Sequence, residues 1–305
     1  MSVRRLLGAL VVVSALSASC ASGDAEASAG RSILPSFLLQ RDNADASTPR
    51  VPFSAATPRM VPRVVARLPH DTTAFTQGLT VYRGRLLEST GLEGHSGVRE
   101  VELATGRVLR RADLPSTEFG EGMTVLGGRV YQLTWKSHVG HVVDARTFTP
   151  VDSFHYDGEG WGLTTDGALL YLSDGTSRIR VIDPNGYRVV RTIRVTEAEQ
   201  PVHMLNELEW VRGELWANVY WTGLIARIDP ASGRIVGWID LRRLLSEAEN
   251  SRLEPRGGVA NGIAYDSAGA RVLVTGKYWP FVFQLDSAIL RPPRATARAT
   301  AAPRD

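Results

Sequence analysis

Between Val61 and Leu285 the chain alternates apolar and polar positions in short runs, each ended by glycine, proline, asparagine or aspartate. A period of two bounded by turn formers predicts short strands, so the body reads as all-β. One stretch departs from this. In LRRLLSEAENSRL, Leu241, Leu244, Leu245 and Ala248 recur at helical spacing and predict a short helix near 240–253.

Aligned on itself, the body repeats one unit: a glycine turn, an apolar strand, a short loop, a strand ending in an apolar-acidic pair, a second turn and another apolar strand. Copies begin at Gly84, Gly128, Gly167, Gly213 and Ala270, at intervals of 44, 39, 46 and 57 residues. Units of four strands recurring every ~40–45 residues predict propeller blades, because one blade has two apolar faces that only stacked neighbours can bury. The longest interval holds the helical stretch as an insertion. The fifth copy stops after one hairpin, and RVVARL at 63–68 is placed to complete it and close the ring. A two-sheet sandwich is the alternative architecture, but it does not require units of such regular length.

The segments AFTQGL (74–79), FGEGM (119–123), GEGWGL (158–163), LNELEW (205–210) and NGIAY (261–265) precede the repeat units. By order they are the innermost strands, which would bring Gln77, Glu121, Trp161, Asn206 and Asn261 to the mouth of the central channel. Taken singly, such residues are explained by hydrogen bonding to one another or by water or an ion in the channel. Taken together, a carboxylate ringed by amides and an indole describes a polar pocket, and the glycines flanking Glu121 read as clearance for a substrate. Trp135, in LTWK, and Lys277, in TGKYWP, follow in the next strand or loop of their blades and add an aromatic wall and a cation.

The ends differ in texture. Residues 1–20, MSVRRLLGALVVVSALSASC, carry two arginines, an uncharged apolar run from Leu6 to Leu16 too short to span a bilayer, and small residues before Cys20. That is an export signal, which puts the mature protein in the periplasm or outside the cell. SAS before Cys20 also resembles a bacterial lipobox, with Ser17 where leucine is usual, making Cys20 a candidate lipidation site and a lipid the one expected link to a membrane. Cys20 is the only cysteine among 305 residues, so no intrachain disulfide can form. Residues 21–60 predict a disordered tether and 287–305 a disordered basic tail, leaving 61–286 as the propeller. The net charge of +3 and pI near 9.2 owe much to arginines in the signal and tail, and without a Lys/Arg stripe in the body no nucleic-acid partner is expected. His95, His138, His141, His155 and His203 lack metal-ligand spacing, and no GxSxG, phosphate-binding glycine loop or CxxC occurs.

HDTTAFTQGL, FGEGMTVLGGRVYQLTWK, GEGWGLTTDGALLYLSDGTSRIRVIDP, LNELEWVRGELWANVYWTGLIARIDP and TGKYWP, in that order across Pro69 to Leu285, resemble the plant-type glutaminyl cyclases of plants and bacteria. The resemblance implies a five-bladed propeller that converts the N-terminal glutamine of a peptide or protein to pyroglutamate with release of ammonia. It implies Glu121 as the catalytic carboxylate and Phe75, Gln77, Phe119, Trp135, Trp161, Asn206 and Lys277 as pocket residues. Where relatives read WANVWQT this chain has WANVYWT, so a pocket tryptophan falls on Tyr220 and Trp221 replaces a glutamine. Either Tyr220 serves as a smaller wall or the local geometry differs. No cofactor is expected for catalysis, a structural metal ion in the channel stays open, and a monomer is expected. Two rivals remain: a non-catalytic exported propeller that binds a peptide or small ligand, and a calcium-dependent lactonase-like propeller. The latter needs several convergent carboxylates, and the inner positions offer Glu121 with Asn206 and either Glu159 or Glu207.

Overall fold

The computed structural model describes residues 51–292. The export signal, Cys20, most of the expected tether and most of the expected tail lie outside the described residues.

Five antiparallel sheets succeed one another along the chain as the blades of a β-propeller. From the axis outward, blade 1 runs Thr76–Tyr82, Arg85–Thr90, Gly97–Glu102 and Arg107–Asp113. Blade 2 runs Gly120–Leu126, Arg129–Thr134, Val139–Asp144 and Pro150–His155, and blade 3 runs Leu163–Thr165, Leu170–Ser173, Arg178–Asp183 and Arg188–Arg194. Blade 4 comprises Leu205–Val211, Glu214–Val219, Leu224–Ile228 and Ile235–Asp240. Blade 5 uses Ala260–Asp266, Arg271–Gly276 and Phe281–Leu285, and takes its outermost strand from Val64–Pro69, with Arg67 opposite Phe283 and Leu68 opposite Val282. The N-terminal strand therefore closes the ring, as the truncated fifth repeat predicted. Burial falls from the axis outward: Gly120–Leu126 is buried over its first five residues, whereas Pro150–His155 buries only Phe154. Trp216, Trp238 and Phe283 are among the largest side chains sealed in the core, where each contributes on the order of 1.5–3 kcal/mol.

Four inner strands break register at the same place: between Thr76 and Gly78, Gly120 and Met123, Leu205 and Leu208, and Ala260 and Ile263. The residues skipped include Gln77, Glu121, Asn206 and Asn261. A bulge releases backbone from the ladder and re-aims the side chain, which is how four polar residues leave the strand alternation for one site.

The next residue lets the blades meet. A Cβ on Gly78 would lie 2.6 Å from Met123 N in blade 2, one on Gly122 2.6 Å from Gly162 Cα and Leu163 N in blade 3, and one on Gly162 2.0 Å from Asn206 O in blade 4. In blade 4 the position is Glu207, whose carboxyl accepts from Ile263 N–H of blade 5 at 2.9 Å and Leu79 N–H of blade 1 at 3.1 Å. The glycines beside Glu121 therefore do not clear a path for substrate, contrary to expectation. Gly122 admits the backbone of blade 3 and donates its N–H to Trp161 O at 2.8 Å, while Gly120 lies against Thr90 O and the Gln132 side chain.

Three boundaries shift. The helix begins at Glu247 rather than near 241 and ends at Leu253, because a capping box fixes its start: Ser246 Oγ accepts from Glu249 N–H, and the Glu249 carboxylate accepts from Ser246 N–H at 2.7 Å. Leu241, Leu244 and Leu245 are buried in the turns before it. The end of the expected tether belongs to the fold, since Arg59–Met60 pairs in parallel with Trp238 and Ile239 and Phe53 packs edge-on against Trp238 at 5.4 Å. The start of the expected tail does too: Ser287–Leu290 forms a 3-10 turn that buries Ile289 and Leu290, and Arg227 donates to the carbonyls of Ile289 and Arg291. A few apolar residues inside polar segments dock where bulk composition predicts none.

Candidate active site

Gln77, Glu121, Asn206 and Asn261 each stand second in their inner strands and are buried, while Trp161 stands two residues before the inner strand of blade 3 and is half-buried. Gln77 links them. Its Nε2 donates to Glu121 Oε1 at 2.8 Å, and its Oε1 accepts from Asn261 Nδ2 at 3.1 Å and from Lys277 Nζ. Two donors at one end of the amide fix the other end as the donor facing Glu121. From blade 1, Ser89 Oγ donates to the Glu121 carbonyl and receives a bond from Gln132 Nε2 at 2.8 Å, holding the bulge in place. Ser173 Oγ donates to the Asn206 backbone carbonyl at 2.6 Å, and the side-chain Oδ1 of Asn206 is buried with no partner among the described residues. A buried orphan acceptor of this kind is available to a ligand.

The walls come from two equivalent blade positions, the residue before the inner strand and the residue after the second strand, joined backbone to backbone. Trp135 N–H donates to Phe119 O at 2.8 Å, Tyr220 N–H to Met204 O at 2.8 Å and Lys277 N–H to Val259 O at 2.9 Å. Phe75 meets Phe119 edge-on at 5.8 Å and Tyr278 at 5.3 Å, Phe119 meets Trp135 at 5.7 Å, and Trp161 meets Tyr220 at 5.7 Å. Lys277 Nζ lies 4.2 Å from the Phe75 ring centre and 5.6 Å from that of Tyr220. Trp135 and Trp161 both donate their indole N–H to Glu159 Oε2, at 2.7 and 2.8 Å. Phe75, Gln77, Phe119, Glu121, Trp135, Trp161, Asn206, Tyr220 and Lys277 thus gather at the inner-strand starts of the five blades.

The local geometry at Tyr220 departs from a strand. The strand Glu214–Val219 ends one residue earlier, so Tyr220 and Trp221 stand in a turn, with Trp221 at φ 66°, and strand alternation does not govern them. Tyr220 is buried against Trp161 as a wall. Three contributors escaped sequence reasoning. Spacing gives no sign that Glu159 meets two indoles, that Tyr278 in TGKYWP packs on Phe75, or that Asn261 orients Gln77, because each arrangement joins neighbouring blades.

Electrostatics single out two groups. Burial pushes the Glu121 carboxyl well above the usual carboxylate range; the Lys277 charge opposes this and the Glu159 charge adds to it. Burial draws the Lys277 amine down to about 7 against the pull of Glu121. Burial disfavours the charged form of both groups, so the acid moves up and the amine moves down.

A second polar network joins ring closure to the site. His70, directly after the closing strand, bonds Glu88 Oε1 through Nε2 at 3.0 Å and Trp279 O through Nδ1 at 2.6 Å. Arg99 donates from Nε to Glu88 Oε2 at 2.9 Å and from Nη1 to Asp71 Oδ2 at 2.7 Å, and Thr76 Oγ1 donates to Glu88 Oε1 at 2.7 Å. Burial alone would raise the Glu88 carboxyl, but the His70 and Arg99 charges hold it at about 2. The network fastens the strand carrying Gln77 to the loop carrying Lys277.

Among the described residues no three His, Cys, Asp or Glu side chains cluster for a metal ion. Below the mouth, Glu207 commits both oxygens to backbone N–H groups, and burial raises its carboxyl strongly, with the Glu209 charge adding to the effect. Glu209 accepts from Tyr265 N–H at 2.8 Å, and burial lifts it to about 8.

A family model described as glutamine cyclotransferase matches residues 37–286. The chain belongs to that family. A glutaminyl-peptide cyclotransferase of Arabidopsis thaliana is 46% identical over 228 residues, which cover 73% of this chain and 70% of the relative. Among solved structures, a Myxococcus xanthus glutaminyl cyclase aligns with a TM-score of 0.68 at 32% identity, covering 75% of this chain and 97% of that one. Lys277, Gln77 and Glu121 form a buried hydrogen-bonded chain beside aromatic side chains in this glutamine cyclotransferase family propeller.

Proposed function

We propose that the protein is a glutaminyl-peptide cyclotransferase that converts the N-terminal glutamine of peptides or proteins to pyroglutamate with release of ammonia. The observation that carries the reading is Glu121: a buried carboxyl with raised proton affinity, held by one amide donor and facing aromatic walls beside a partly deprotonated lysine.

In the reaction the α-nitrogen attacks the carbon of its own side-chain carboxamide. A C–N bond closes the five-membered ring, the bond to the amide nitrogen breaks, and ammonia departs. Nucleophile and carbonyl belong to one residue, so holding the correct rotamer supplies much of the rate. The aromatic walls pack the two methylenes, and Asn206 Oδ1 accepts a substrate N–H. Ionised Glu121 takes the proton that the attacking nitrogen sheds and returns it to the departing nitrogen. A raised proton affinity suits this double duty, since a shuttle works best when its pKa lies near the working pH. Lys277, as a cation, faces the charge that develops on the carbonyl oxygen.

The test is Glu121→Gln incubated with a glutamine-starting peptide while ammonia release is followed. Turnover should fall by about 10²–10⁴-fold, the span of general acid–base catalysis, and near-wild-type turnover would overturn the assignment. If the wild-type protein binds the peptide and releases no ammonia, the non-catalytic reading takes its place.

On this reading the protein lies outside the cytoplasm, periplasmic or extracellular, with Cys20 as the candidate site of a lipid anchor. Residues 1–20, with their arginines, the short apolar run and the SAS–Cys junction, support this. Mass measurement of the mature N-terminus decides between lipidation and simple secretion.

A further inference from the structure

We infer that Glu159 is a positioning residue that sets the angle between the two tryptophan walls of the pocket through a single carboxylate oxygen. The inference rests on the cyclisation reading above. Oε2 of Glu159 accepts from Trp135 Nε1 at 2.7 Å and from Trp161 Nε1 at 2.8 Å. The two tryptophans belong to different blades: Trp135 follows the second strand of blade 2, and Trp161 leads into blade 3. An indole has one N–H, so its direction selects the ring rotamer. Two N–H groups meeting at one oxygen therefore fix the rings relative to each other as well as to the backbone.

The anchor is itself held. Arg180 donates to the carbonyls of Glu159, at 3.0 Å, and Asp157, His138 Nδ1 bonds Gly158 O at 2.6 Å, and Gly160 N–H reaches Trp135 O at 3.3 Å. On its other side the Trp161 ring presses on Gly175, where a Cβ would stand 2.8 Å from ring atoms. Trp135 is held edge-on by Phe119. Each ring thus has an apolar stop and shares one polar anchor. Bonds of 2.7–2.8 Å are in the range of charge-assisted hydrogen bonds, about twice as strong as neutral ones. Glu159 also sits close enough to Glu121 for its charge to add to that carboxyl's proton affinity, so the residue acts in two separable ways.

Two substitutions separate them. Glu159→Gln keeps an oxygen that can accept both indoles but removes the charge. Its kcat/KM at the optimum should stay within about threefold of wild type, in line with the modest difference between charged and neutral acceptors. The acid limb of its pH–rate profile should move to lower pH, because Glu121 loses a like-charged neighbour. Glu159→Ala removes the anchor. It should lower kcat by about tenfold or more, as expected when reacting groups are misplaced by a fraction of an ångström, and should change tryptophan emission and its quenching by acrylamide while the melting temperature stays within a few degrees.

Wild-type turnover and emission are recorded alongside. A wild type without turnover defeats the cyclisation reading, and the emission of the alanine variant still tests the anchor. The inference is overturned if the alanine variant matches wild type in both kcat and emission, or if glutamine is as damaging as alanine. Should the alanine variant fail to fold, altered tryptophan emission in the glutamine variant, which keeps an acceptor for both indoles, overturns it.

Discussion

Gly122→Ala tests how the site is built. Gly122 does not adopt a left-handed φ, so alanine meets no backbone penalty there and the effect is steric alone. The new methyl would stand 2.6 Å from both Gly162 Cα and Leu163 N and 2.7 Å from Gly162 C. These are backbone atoms of the neighbouring blade, and no rotamer change can move them aside. To restore ordinary contact the inner strands of blades 2 and 3 must separate by about 1 Å, which strains the Gly122 N–H to Trp161 O bond. Overpacking of this kind costs on the order of 1–3 kcal/mol. For a propeller of this size that lowers Tm by about 2–12 °C, at roughly 2–4 °C per kcal/mol. Because Glu121 is the preceding residue, the same shift should lower kcat by about tenfold to a hundredfold. Differential scanning fluorimetry and ammonia release measure both. If Gly122→Ala keeps wild-type Tm and kcat, the view that this glycine admits the next blade is wrong; a wild-type Tm with a raised KM would instead return substrate clearance as its explanation.

Other outcomes follow from the same geometry. Lys277→Met removes the cation that draws the Glu121 proton affinity down, so the acid limb of kcat/KM should move to higher pH and the alkaline limb near pH 7 should flatten; an unmoved acid limb would show that the two groups are not coupled. Glu88 titrates at about 2 in the fold against 4.5 unperturbed. A depressed carboxyl stabilises the fold fully above its unfolded value and loses that contribution as pH falls through its folded one, so wild type should lose about 3 kcal/mol between pH 4.5 and 2. Glu88→Gln should be less stable by about 3–5 kcal/mol at pH 7 and flatter across that window. Denaturant titrations at several pH values check this, and parallel pH dependence in the two proteins would remove Glu88 from the account.

The closing strand shows how far a repeat can be read. RVVARL completes a blade that the last copy leaves one strand short, and the pairing of Val64–Pro69 with Phe281–Leu285 follows that arithmetic. The helix shows where periodicity misleads. Leu241, Leu244 and Leu245 are apolar because they are buried, and the capping box at Ser246 rather than their spacing sets the helix start. At the site, residue types were legible from the aligned inner positions and the resemblance they carry. The pairing was not: Gln77 touches Glu121 across 44 residues and Lys277 across 200.

By itself, then, the sequence determined the alternation that makes strands, the repeat that makes five blades, and the recurrence of one polar residue at the same inner position of four of them, with Trp161 in the other. These are local properties, fixed by the chain's own stereochemistry and by the need to bury a periodic apolar face. Only the tertiary structure decided what the local pattern cannot carry. Bulges aim Gln77, Glu121, Asn206 and Asn261 at one mouth, and Gly122 yields its space to the backbone of blade 3 rather than to a substrate. Glu159 serves two tryptophans at once, and the charge states of Glu121 and Lys277 arise from their burial together. A missing Cβ, an anchor and a shifted pKa are each set by which atoms lie across the blade interface, and those atoms become neighbours only when the ring closes.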